Sequence, residues 1–144
     1  ARDRIVTIFE RMIHALALVQ DTDTGLWYQV LDRGGWEGNY IEASASCMFV
    51  YAIAKGIRKG YLDPKYLDAA QRGYAGIIEH LVEVDEHGQE NQTRICAVAG
   101  LGGEQQRDGS YEYYIGEPVE ANDHKGVGAF LLAGAEMERL SKPA

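Results

Sequence analysis

The sequence predicts an all-α protein built of tandem helical hairpins, and three observations carry that prediction. Apolar residues recur at three- and four-residue spacing over long stretches. Two of the helices marked in this way are apolar almost all round their bodies, yet polar where they start. The pattern also repeats, with Gly25 and Gly88 about 63 residues apart in matching acidic turns. An amphipathic helix leaves one side in water, whereas a helix apolar all round must be enclosed by others. Outer amphipathic and inner enclosed helices in alternation make a hairpin toroid, and the polar starts of the inner helices then face a cavity.

The first helix covers Asp3 to Val19, with Ile5, Ile8, Phe9, Met12, Ile13, Leu16 and Val19 on one stripe. DTDTG (21–25) stops it, and GLWYQVL changes the period to that of a short strand. The second helix runs from about Glu42 to Arg58, polar at Glu42, Ser44 and Ser46 and then apolar from Cys47 to Ile53. Asp63 is an N-cap with Pro64 at the first helical position of a third helix extending to about Val84. Its expected buried face is Tyr66, Leu67, Ala70, Tyr74, Ile77, Ile78 and Leu81. After DEHG (85–88), residues 89–117 read as irregular, with extended pieces in TRICAVAGL and GSYEYYIG around a glycine bend. The fourth helix spans about Asp123 to Leu140, opened by Asn122 or Asp123 as a cap.

Composition narrows the function. The chain has 144 residues, the size of one domain, and is 46% hydrophobic and 25% charged, as a globular protein is. A net charge of −8 argues against nucleic acid or an anionic membrane as partner and leaves carbohydrate, small molecule or protein. The charged N-terminal stretch has no signal-peptide pattern and no segment has the length of a membrane span, so the expected compartment is the cytoplasm, with periplasm or secretion left open. Cys47 and Cys96 sit in apolar runs and read as small buried hydrophobes.

The residues that could carry binding cluster before and at the helix starts. Trp27 and Gln29, with Glu42 and Ser44, combine an aromatic face with hydrogen-bonding groups, which suits a sugar pocket. The alternative is that Glu42 or Ser44 caps its helix and Trp27 fills the core. Lys125 stands in the first turn of the last helix, where a cation opposes the helix dipole, so a substrate carboxylate is one reason for its presence and simple solvation another. No metal site is expected. DTDTG misplaces its glycine for a calcium loop, and His14, His80, His87 and His124 share no ligand spacing.

GLWYQVLD (25–32), NYIEASASCMFVYAIAKGIRKGYL (39–62), VAGLGG (98–103) and DGSYEYYIGEPVEANDHKGVGAFLLAGAEME (108–138) together resemble glycoside hydrolase family 105, the unsaturated rhamnogalacturonyl hydrolases. The resemblance covers nearly the whole chain and implies part of a six-hairpin α/α-barrel, with residues 1–144 as its C-terminal portion. It implies an oligosaccharide substrate ending in a 4,5-unsaturated galacturonate, and hydration of that vinyl ether by an aspartic acid that protonates C4 while water adds at C5. A sister activity on unsaturated glucuronyl residues of glycosaminoglycan fragments, or a non-catalytic helical binding module, are the alternatives. No cofactor is implied. The family's acid, its histidine and its Trp-x-Arg motif precede the matched region, and no Trp-x-Arg occurs here: Trp27 is followed by Tyr28 and Gln29, Trp36 by Glu37 and Gly38. The catalytic residues are therefore expected upstream, with Trp27, Gln29, Glu42, Ser44 and Lys125 as binding candidates only. Inner helices without the rest of a barrel should leave apolar sides open and drive self-association.

Overall fold

Over residues 2–104 and 106–142, which the computed structural model describes, the chain runs α1 (Arg2–Leu18), α2 (Ala43–Arg58), a 3-10 turn (Pro64–Tyr66), α3 (Leu67–Leu81), β1 (Val82–Val84), β2 (Glu90–Gln92), β3 (Ile95–Cys96), α4 (Tyr111–Gly116), β4 (Val119–Glu120) and α5 (His124–Ser141). The strands form two antiparallel ribbons, β1 with β2 and β3 with β4. The helices are the hairpins expected, with α2 at the centre, packed against both α3 and α5.

Chain chemistry accounts for the main boundaries. Asp63 accepts from the Lys65 amide while Pro64 opens the 3-10 turn, the cap-and-proline start read from the sequence. The helix that follows stops at Leu81, three residues short of expectation, because Val82–Val84 turns to pair with Glu90–Gln92 across the DEHG bend. Lys55 and Arg58 in the last turn of α2 complement its dipole. The piece GSYEYYIG is not extended: Tyr111–Gly116 is helical, and Ser110 caps it by accepting from the Tyr113 amide at 3.1 Å. Its aromatic residues favour strands, but a satisfied cap decides a segment this short.

Small residues make the close contacts. The buried face of α3 is Ala69, Ala70, Gly73, Gly76, Ile77 and Leu81, and Ile78 is half exposed instead of buried. At Gly76 a β-carbon would run into the Thr24 carbonyl oxygen, so only glycine lets the 21–27 loop lie directly on α3. Trp27 and Leu26 enter the core through that seat, both with no exposed surface.

Enclosure is uneven. Of the α1 stripe only Ile13 and Leu16 are buried, while Ile5, Ile8 and Met12 remain exposed. Met48 on α2 and Leu131 and Leu132 on α5 are also about half exposed or more. Helices whose composition demands cover on every side are covered here on only some. At the far end of the pair, Arg58 of α2 holds Glu136 of α5 with two bonds of 2.7 and 3.0 Å, and Arg139 adds a third at 3.1 Å.

Candidate functional site

The starts of α2 and α5 lie at the same end of the molecule, joined by the segment 92–96. The Ala43 amide donates to the Arg94 carbonyl, and Asn122 exchanges bonds with Gln92 through its amide and its side chain. The flanking chain bonds to this end, the Glu42 amide donating to the Trp27 carbonyl and the Ala97 amide to the Pro118 carbonyl.

Glu42 is 2% exposed and its carboxylate is fully engaged. Oε2 accepts from the Ala45 amide at 2.6 Å, Oε1 accepts from the Cys96 amide at 2.9 Å, and the Ser44 hydroxyl donates to both oxygens. Glu42 therefore caps α2 and ties β3 to it, and Ser44 is spent on orienting that carboxylate. Ser46 is buried and accepts from the Trp27 amide.

Trp27 corrects the expectation of a sugar platform, because its side chain is fully buried. The indole N–H donates to the Leu16 carbonyl at 2.8 Å, and the ring meets Phe49 edge-on with centroids 5.4 Å apart. No face is left for a ligand. Gln29 is partly buried, with its amide nitrogen 3.4 Å from both the Cys96 sulfur and the Tyr114 carbonyl oxygen, so it braces the loop segments against each other.

Lys125 has an internal explanation. Asp123 caps α5 through the Lys125 amide, and the Lys125 ammonium returns to the same carboxylate at 2.7 Å. The cation that opposes the helix dipole is thus paired to the residue that satisfies it, and this pair holds Asp123 below the usual carboxylate range. Of the expected binding set, the structure brings Gln29, Glu42 and Ser44 together around Cys96 and sets Trp27 in the core and Lys125 at the surface.

Tyr40 was not among the expected residues. Its hydroxyl oxygen is buried beside the Cys96 sulfur, and burial, with that sulfur and the Glu42 and Glu117 carboxylates, pushes the phenol far above its ordinary value. It stays a neutral O–H at any physiological pH. Burial also pushes the Cys47 thiol up to about 12. The signal available in sequence was only a tyrosine two residues before a helix cap, which says nothing of its surroundings.

Beside this end a cleft of about 460 Å³ is lined by Asp21, Tyr28, Asp32 and Gly34 among others. Farther along the same loop Trp36 is 53% exposed, with the Arg33 guanidinium 4.5 Å from its ring centre and the Tyr111 ring edge-on at 5.5 Å. Among the described residues no group of three or more His, Cys, Asp or Glu could hold a metal ion, and no helix is long and apolar enough to cross a membrane.

Comparison with known proteins accords with this geometry. The family model for Glycosyl Hydrolase Family 88 matches residues 1–141. A 24.9 kDa protein in the picA locus of Rhizobium radiobacter is 42% identical over 138 residues, and so is protein Atu3128 of Agrobacterium fabrum. The match takes in 92% of this chain and 59% of each relative, so the chain spans about three fifths of their length. Among solved structures, a family 105 glycoside hydrolase of Clostridium acetobutylicum overlays with a TM-score of 0.91 at 46% identity, covering 96% of this chain and 38% of that one. A possible family 105 member from Salmonella enterica overlays at 0.79 with 28% identity, covering 96% and 32%. The hairpins are those of a six-hairpin helical barrel, of which this chain matches a part.

Proposed function

Because this chain belongs to glycosyl hydrolase family 88, we propose that it forms part of the cavity wall of an enzyme that removes 4,5-unsaturated galacturonate from rhamnogalacturonan oligosaccharides by hydrating the vinyl ether. The proton goes to C4, water adds at C5, and the resulting hemiketal opens to release the next sugar. The general acid for that step lies on the part of the barrel that this chain does not span. One observation carries the division of labour: the buried carboxylates Glu42 and Glu136 are committed to bonds within the chain, and neither is free to act as a general acid. Such a group needs a raised pKa in an enclosed site. Glu42 is enclosed, but both its oxygens are already taken up by the Ala45 and Cys96 amides and the Ser44 hydroxyl. Glu136 is held low by Arg58, Asp123 and Glu138 by lysines, and Asp85 and Asp108 by backbone amides.

The open apolar surfaces support the same reading. A groove of about 640 Å³ between α1 and α2, lined by Ile5, Val6, Phe9, Gly56 and Tyr61, is a seat for a neighbouring barrel helix, as is the exposed side of α2 and α5. Separated from such neighbours the chain self-associates through them.

The test is a chimera in which residues 1–141 replace the matching part of the 46% identical Clostridium barrel. Loss of ultraviolet absorbance from unsaturated rhamnogalacturonan disaccharides should be catalysed by the chimera and not by the 144-residue chain alone. Turnover by the chain alone would overturn the placement of the acid. Turnover by the chimera that is faster on unsaturated glucuronyl disaccharides would overturn the substrate.

A further inference from the structure

The loop 30–39 spends many hydrogen bonds on an arrangement that buries little. Asn39 acts as its internal template, accepting from the Val30 amide and donating to the Val30 and Arg33 carbonyls. Successive backbone bonds run from the amides of Arg33, Trp36 and Asn39 to the carbonyls of Val30, Arg33 and Trp36. From the other side, the Tyr111 hydroxyl donates to the Glu37 carbonyl at 3.0 Å, and Ile115 of α4 packs so closely on Gly38 that a β-carbon there would strike it at 2.7 Å. What this frame holds up is an indole that stays 53% exposed. Burial would be the ordinary fate of so large an apolar group, and each square ångström left in water forgoes about 25 cal/mol.

The chemistry around the ring is specific. Arg33 lies 4.5 Å from the centre of the Trp36 ring, and Tyr111 closes one flank. The nearest carboxylate to Arg33 among the described residues is Asp32 at 3.9 Å, at the limit of an ion pair, and both side chains are well exposed. The guanidinium therefore has donors to offer, and it is planar and suited to a bidentate carboxylate. An exposed indole with an available guanidinium over its ring fits a ring that is apolar on one face and carries a carboxylate at its edge, which describes a hexuronate.

We propose that Arg33, Trp36 and Tyr111 form an accessory subsite for an acidic sugar, taking a saturated galacturonate in the body of the oligosaccharide and not its unsaturated end. The subsite rests on the carbohydrate reading above but needs none of its chemistry. Trp36 stacks on the sugar ring, Arg33 takes the carboxylate, and Tyr111 fixes the tilt of the indole.

The chain provides its own reporter, since its two tryptophans are Trp27, fully buried, and Trp36. Saturated galacturonate oligosaccharides, which cannot undergo vinyl-ether hydration, are titrated into the chain while tryptophan emission is followed. A saturable change is expected that is absent in Trp36→Phe titrated in parallel. Arg33→Ala should weaken binding about fivefold, and neutral galactose oligosaccharides of equal length should bind at least as weakly to the unaltered chain. Far-ultraviolet circular dichroism of each variant verifies that it is folded. No saturable change with the folded, unaltered chain, or an equal response to neutral and acidic oligosaccharides, would overturn the proposal. The chimera assay is independent of this outcome, so the subsite and the hydrolase reading can fail separately.

Discussion

The starts of α2 and α5 look alike in sequence, each an acidic residue before an apolar helix, yet they are built for different conditions. Glu42 is nine-tenths buried or more, and its bonds reach into another part of the chain, to Cys96 on β3. The Asp123 side chain caps α5 and pairs with Lys125, two residues away, at the edge of solvent. Asn122, with positive φ of 57°, does the long-range work there by holding Gln92. A polar start on an enclosed helix is thus not evidence of a pocket by itself. What separates the two is whether a neighbouring strand brings an amide that needs an acceptor.

The largest expected effect lies on the buried side of that comparison. Trp27→Ala, which empties a fully buried site and removes the indole bond to the Leu16 carbonyl, should cost about 3–5 kcal/mol in chemical denaturation. Glu42→Ala should follow at about 2–4 kcal/mol, since it removes a cap and leaves the buried Cys96 amide unpaired. Asp123→Ala should cost less than half as much as Glu42→Ala, because water replaces its bonds. If the two cap variants lost equal stability, the contrast drawn between the helix starts would be broken.

A pH titration sharpens the picture at the opposite ends of the same helices. Arg58 holds Glu136 below its ordinary pKa of 4.5, with Arg139 adding to it. A carboxylate depressed on folding contributes stability that is present above its unfolded pKa and lost as pH falls through the folded one. Stability should therefore decline below about pH 4.5, and Glu136→Gln should flatten that decline while lowering stability at pH 7. The smallest effect concerns the thiols. Cys47 is fully buried and Cys96 is 8% exposed, so under native conditions alkylation at pH 8 should reach Cys96 first and Cys47 only upon unfolding.

Much of the fold was legible because its signals are local. The α1 stripe, the Asp63–Pro64 start and the acidic turns at Gly25 and Gly88, both with positive φ, depend on residues within one turn of each other. What was not legible depends on partners far along the chain. Trp27 reads as a sugar platform until Leu16 and Phe49 surround it, and Glu42 as a ligand until Cys96, 54 residues on, claims an oxygen. Trp36 attracted attention only for the motif it lacks, since its exposure is set by a loop whose hydrogen bonds leave no periodic trace. The helix at 111–116 was hidden for another reason, as strand-favouring aromatics outweighed a single capping serine.

As proposed, the polar start of α2 is a structural joint in a cavity wall and not the acid that works there. Glu42→Gln in the chimeric barrel tests it most directly, with turnover of an unsaturated disaccharide and thermal midpoint measured on the same preparation. A lowered midpoint is expected with kcat, read well below that midpoint, within about threefold of the parent, because the amide preserves shape but not the charge-assisted bonds. A kcat reduced by about 10² or more at an unchanged midpoint would contradict it and make Glu42 the general acid.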